Sequence, residues 1–100
     1  MRFCPWYPLA EAGDRTPAGE GVLQLRVPEG LLDYPTGKSA MVHYAHAMDV
    51  RAAALGLAAV HHDLLCRHLD PEGEAVDYSA FHAKVLDEFV RRFGIAPRFP

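Results

Sequence analysis

The stretch from Ser39 to Val60, SAMVHYAHAMDVRAAALGLAAV, constrains the fold more than any other part of the chain. Met41 to His46 alternates with a period of two, placing Val42, Tyr44 and His46 on one face and Met41, His43 and Ala45 on the other, as a strand requires. An alanine-rich run follows at once and reads as a helix from Asp49 to about His61. Asp49 is its N-cap, because an aspartate carboxylate accepts hydrogen bonds from the unpaired amides of the first turn and meets the positive end of the helix dipole. Arg51 falls in that turn. A strand end, a helix start and a guanidinium within a few residues form a place where a phosphate or another anion could be held.

The rest of the chain is read around this unit. Gly21 to Val27, GVLQLRV, alternates as a strand, with Leu23, Leu25 and Val27 on one face and Val22, Gln24 and Arg26 on the other. Pro28 to Lys38, PEGLLDYPTGK, reads as a long hairpin loop, so the two strands should pair antiparallel. The helix carries Val50, Ala53, Ala54, Leu57 and Val60 on one stripe, which suits packing on a sheet; Gly56 weakens it by about 1 kcal/mol relative to alanine. His62 to Asp70 fits either a continuing helix or a buried strand, and periodicity does not separate the two. Asp70 to Gly73, DPEG, is a turn. A last helix runs from Asp77 or Ser79 to Phe93, with Phe81, Val85, Phe89 and Phe93 at four-residue spacing, Arg91 and Arg92 at the negative end of the dipole, and Gly94 as C-cap. Residues 1–19, with Pro5, Pro8 and Pro17, read as an extended arm holding at most one helical turn around Leu9 to Gly13, its aromatics packed on the body. Residues 95–100 read as a tail limited by prolines.

One hundred residues make one domain, which buries roughly 60 to 70% of the unfolded surface and needs no staples. Half of them are hydrophobic and 23% are charged, the balance of an ordinary globular protein. The net charge of −3 gives no general attraction to a polyanion, so nucleic-acid binding would need a local basic patch. Cys4 and Cys66 are too few for a disulfide framework, and the first residues lack the apolar core of a signal peptide, so a reducing cytoplasm is the expected location. The apolar run from Ala52 to Val60 is far short of the roughly 18 residues of a membrane span. No membrane partner is expected.

Two short patterns invite chemistry. Thr36 to Ser39, TGKS, looks like the end of a phosphate-binding loop. That loop needs a glycine where Leu32 stands, and a helix after it where a strand follows, so an ordinary hairpin turn is the better reading. His61, His62, Cys66 and His68 invite a metal. On a helix His62 and Cys66 share a face, whereas on a strand Cys66 and His68 do, and neither spacing matches an established zinc pattern.

A third constellation reaches further. Gly21-Val22-Leu23 on one strand, Tyr44-Ala45-His46 on the next and Asp49-Val50-Arg51 opening a helix resemble the GIY-YIG nuclease family. Trp6, Pro8-Leu9 and Pro17 stand before the first triplet as in many members, and VLDEFVRRFGIAPRFP is similar to the family's last helix and tail. The resemblance implies an α/β (α+β) fold with a small three-stranded antiparallel sheet flanked by helices, Asp63 to Leu69 being the third strand. It also implies a chemistry: two tyrosines, an arginine on the phosphate, and a glutamate on the last helix that holds a divalent metal. Tyr44 and Arg51 match. Leu23 replaces the first tyrosine, His46 replaces a glycine, His82 stands where the glutamate would be, and Pro100 where a late asparagine is common.

Losing a general acid or base costs about 10²- to 10⁴-fold, and losing the metal's carboxylate removes the metal's contribution too. The expected function is therefore that of a degenerate GIY-YIG-like domain without nuclease activity, needing no cofactor, with Tyr44 and Arg51 as the remnant of a phosphate pocket for a protein or nucleic-acid partner. The alternative is a divergent endonuclease using Mg or Mn, with His46 as base and His82 as metal ligand, histidine being suited to both roles. Apolar residues near the C-terminus, Val90, Phe93, Ile95 and Phe99, would also suit a homodimer.

Overall fold

The computed structural model describes residues 1–100. Its elements are β1 (Arg2–Phe3), β2 (Tyr7–Pro8), a 3₁₀ turn (Leu9–Glu11), α1 (Ala12–Arg15), β3 (Gly21–Arg26), β4 (Leu32–Tyr34), β5 (Gly37–Ser39), β6 (Met41–Ala47), α2 (Val50–Ala58), β7 (Leu65–Asp70) and α3 (Tyr78–Phe93). The fold is α+β, with an antiparallel sheet and helices on both of its faces.

β3 is central because its sequence tolerates burial on both sides. Val22, Leu23, Gln24 and Leu25 are all buried, and β6 and β7 pair antiparallel with its two edges. Residues directly opposite one another share a face. Leu25 faces His43 and Cys66, and Gln24 faces Tyr44 and Arg67. A register shift between Leu25 and Arg26 marks a bulge against Met41 to His43, which lets the strand bend.

On the Leu23–Leu25 face lies the main core, with Tyr7, Leu9, Ala12, Val50, Ala54 and Cys66, each large apolar side chain adding roughly 1.5–3 kcal/mol. α2 belongs here. Asp49 caps it through the Ala52 amide at 3.2 Å, and Val50 N donates to Gly19 O at 2.8 Å, fixing the helix to the entry of β3. A Cβ on Gly21 would stand 3.0 Å from Val50 Cγ1, so the bare glycine is what lets helix and strand approach so closely. The opposite face carries α3. Phe89 meets Tyr44 of β6 at 5.5 Å, Tyr34 of β4 at 5.1 Å and Phe93 at 4.4 Å between centroids. Asp77 caps α3 through the Ala80 amide, and Gly94, at φ 90°, closes it in the left-handed conformation that glycine adopts without strain.

Several sequence expectations change. The sheet has five strands rather than three, because residues 1–19 are not simply an extended arm: β1 and β2 pair in turn with the outer edge of β7. That arm is helical from Leu9 through Arg15, longer than the one turn expected. The loop between the long strands contains a hairpin of its own, β4 with β5. α2 stops at Ala58, which leaves Val60 70% exposed and off the apolar stripe. The strand expected from Asp63 to Leu69 runs from Leu65 to Asp70, and the Asp70 carboxylate accepts from the Glu72 amide in the turn that follows. No helix is long and apolar enough to cross a membrane.

Candidate functional site

Where α1, the first turn of α2 and the end of β7 meet, they enclose an open cleft of about 330 Å³. Its polar walls come from Asp14, Arg15, Thr16, Arg51, His68 and Asp70, two carboxylates among them. Each arrives by a local rule. The N-cap of α2 turns Arg51 toward the end of α1, where its Nε donates to Thr16 O at 2.6 Å. No carboxylate pairs with Arg51, and its guanidinium bonds the chain through Nε alone. Arg15 closes α1, with its Nε on Glu11 one turn back at 2.9 Å. Thr16 itself is fully buried, and its Oγ1 lies 2.8 Å from Tyr7 OH.

Tyr7 connects the cleft to the sheet. Its OH lies 3.0 Å from His68 Nδ1 and 3.6 Å from Cys66 Sγ, which donates to it. Burial raises the pKa of this phenol far above its ordinary value and lowers that of His68, the latter against the opposing pull of Asp70. Both groups are therefore neutral near pH 7, the phenol as a donor and the imidazole as a proton acceptor. His43, on the same face, also has its pKa lowered, by burial first and then by the charges of His61 and His82.

A pH dependence follows. In the unfolded chain these histidines titrate near 6.5, and in the folded chain lower. Below that pH the unfolded state binds more protons, so stability is full above about 6.5 and is lost as the pH falls through the lowered folded values. Thermal melts from about pH 7.5 down to 5 should show this loss, and His68→Gln with His43→Gln should flatten it.

The structure separates the residues singled out from the sequence. Arg51 lines the cleft. Tyr44 does not; it lies on the α3 face against Phe89, where burial raises its pKa. His46 shares the α3 face with Tyr44, two residues along the same strand, and its Nε2 meets Glu20 Oε2 at 2.7 Å. His82 faces His46 across 6.4 Å between ring centroids, with its own Nε2 buried and unpartnered. A magnesium ion prefers oxygen ligands, and this pair offers imidazoles beside one carboxylate already paired to His46. No group of three or more His, Cys, Asp or Glu side chains is arranged to hold a metal ion, so no step is derived through one. Of the histidine–cysteine quartet, Cys66 and His68 share a strand face, while both cysteines are free. The members that sequence reading missed, Tyr7, Arg15 and Thr16, reach the cleft through contacts such as Tyr7 to His68, 61 residues apart. No local spacing in the sequence signals them.

Comparison with known proteins finds no matching family model, curated protein or solved structure.

Proposed function

We propose that the chain is a degenerate GIY-YIG-like domain that acts as a binding module, and that its ligand is an anionic group, a phosphate ester or carboxylate, held in the cleft between Arg15 and Arg51. The observation that carries this is Arg51: it is fixed through Nε to a backbone carbonyl and lacks a carboxylate partner, which presents the planar donor fork suited to an oxyanion. The order of β3, β6, α2, β7 and α3 supports the family reading, and the separation of Tyr44 from Arg51 supports loss of the family's chemistry. Tyr44 acts as a core aromatic and Arg51 as the ligand group.

Titration with inorganic phosphate and with a 5′-phosphorylated oligonucleotide tests this. A hydrogen bond to a charged group contributes about 1.5–3 kcal/mol, so Arg51→Ala should weaken binding by about 10-fold or more, while Tyr44→Phe leaves it unchanged. Magnesium-dependent cleavage of the oligonucleotide, lost on changing His46 or His82, would overturn the proposal in favour of the nuclease.

A further inference from the structure

The two cysteines occupy opposite circumstances. Cys66 is fully buried in the core, and burial pushes its thiol up to about 11. Cys4 is half-buried and lines a second open depression of about 350 Å³ with Pro5, Tyr7, Arg15 and His68. The two depressions adjoin, since Arg15 and His68 line both.

What sets Cys4 apart from an isolated cysteine is that His68 faces it twice. The arm runs antiparallel to β7, with Cys4 N donating to His68 O at 2.9 Å. In return the His68 backbone N–H donates to Cys4 Sγ at 3.4 Å, and His68 Nδ1 lies 3.4 Å from the same sulfur. One donor is thus in place for a thiolate, with an acceptor beside it for the thiol proton. Tyr7 OH also reaches Nδ1, but it has a single proton and can direct it to Thr16 instead. With that proton on Thr16, Nδ1 is open to Cys4. Burial keeps this imidazole neutral near pH 7, the form that takes up a proton.

We infer that Cys4 is a thiol–disulfide exchange site for a small disulfide carrying a carboxylate, with His68 taking the thiol proton and Arg15 holding the carboxylate. The inference rests on the anion-binding reading of the cleft. His68 Nδ1 accepts the proton as Cys4 Sγ attacks one sulfur of the disulfide. The new S–S bond forms as the old one breaks, and the departing thiolate takes the proton back from His68. The incoming disulfide is reduced to one thiol while Cys4 is oxidised to a mixed disulfide, so no outside oxidant is needed.

The test uses the whole chain, with glutathione disulfide as the anionic probe and hydroxyethyl disulfide as the neutral one, and locates each mixed disulfide by peptide mass spectrometry. Modification should fall on Cys4 and spare Cys66. His68→Gln should slow it by about 10-fold near pH 7, since a free thiol of pKa about 8.5 is already a few per cent thiolate there and a base can gain no more than full ionisation. Arg15→Ala should slow the reaction with glutathione disulfide and not that with the neutral probe. If His68→Gln fails to fold, the pH profile of the native chain serves instead, its rate rising through an ionisation below 6.5. Reaction of Cys4 no faster than a peptide thiol would overturn the exchange site and leave phosphate binding to be judged by its own titration. A fast, His68-dependent reaction with equal rates for both probes would overturn the carboxylate assignment and Arg15's part in the anion site.

Discussion

Phe89→Ala should cost the domain about 3–5 kcal/mol, the range for removing a buried aromatic ring. Phe89 is 4% exposed and joins three parts of the chain, meeting Tyr44 and Tyr34 edge-on and Phe93 along its own helix. Aromatic pairs of this kind add about 0.5–1.5 kcal/mol each beyond area burial. Removing the ring leaves a cavity between α3 and the sheet that three neighbours cannot fill without leaving their rotamers. Each kcal/mol moves the melting temperature of a domain this size by about 4–8 °C, so a drop of at least about 12 °C is expected in calorimetry. Tyr44→Phe, which removes only a hydroxyl without a hydrogen-bond partner, should shift it by a small fraction of that.

Leu9→Ala should be nearly as damaging, at about 2–5 kcal/mol. Leu9 is fully buried in the main core with Leu23, Leu25 and Ala54, and its amide donates to Leu64 O at 2.9 Å. The side chain belongs to the segment that the sequence presents as a peripheral arm. If residues 1–19 merely lay on a finished domain, truncating Leu9 would cost less than about 1 kcal/mol. Chemical denaturation separates the two outcomes, with the midpoint moving and the slope unchanged.

That arm shows where sequence reasoning stopped. Strands β3 and β6, helices α2 and α3, and the caps Asp49 and Gly94 are legible, because local periodicity and terminal chemistry determine them; the start of α3, open between Asp77 and Ser79 in the sequence, is fixed by the Asp77 side chain on the Ala80 amide. β1 and β2 are two residues each, too short to carry a period, and exist only through pairing with β7 far along the chain. The proline content that suggested an isolated arm is compatible with this, since Pro8 lies on an outer strand where a missing amide is tolerated. The candidate site was legible in part. Arg51 was reached through the strand-to-helix junction, but its partner Thr16 lies 35 residues away and is joined through a backbone carbonyl that no side-chain motif encodes. Motif order groups Tyr44 with Arg51. In the sheet, alternation sends Tyr44 to the α3 face, whereas Arg51 belongs to the helix on the other.

His68 shows the same limit. Read as one of four candidate metal ligands, it is instead the point where the arm, α1 and β7 converge through Cys4, Tyr7 and the cleft. Its neighbours in space are two N-terminal residues, and nothing in local spacing records them.

The most direct measurement of the central claim is a titration of the isotope-labelled chain with inorganic phosphate, followed by ¹H–¹⁵N correlation spectra. The account predicts saturable shifts confined to Arg15, Thr16, Arg51, His68 and Asp70, absent in Arg51→Ala. Shifts centred instead on His46 and His82, or a spectrum that phosphate leaves unchanged, would contradict it.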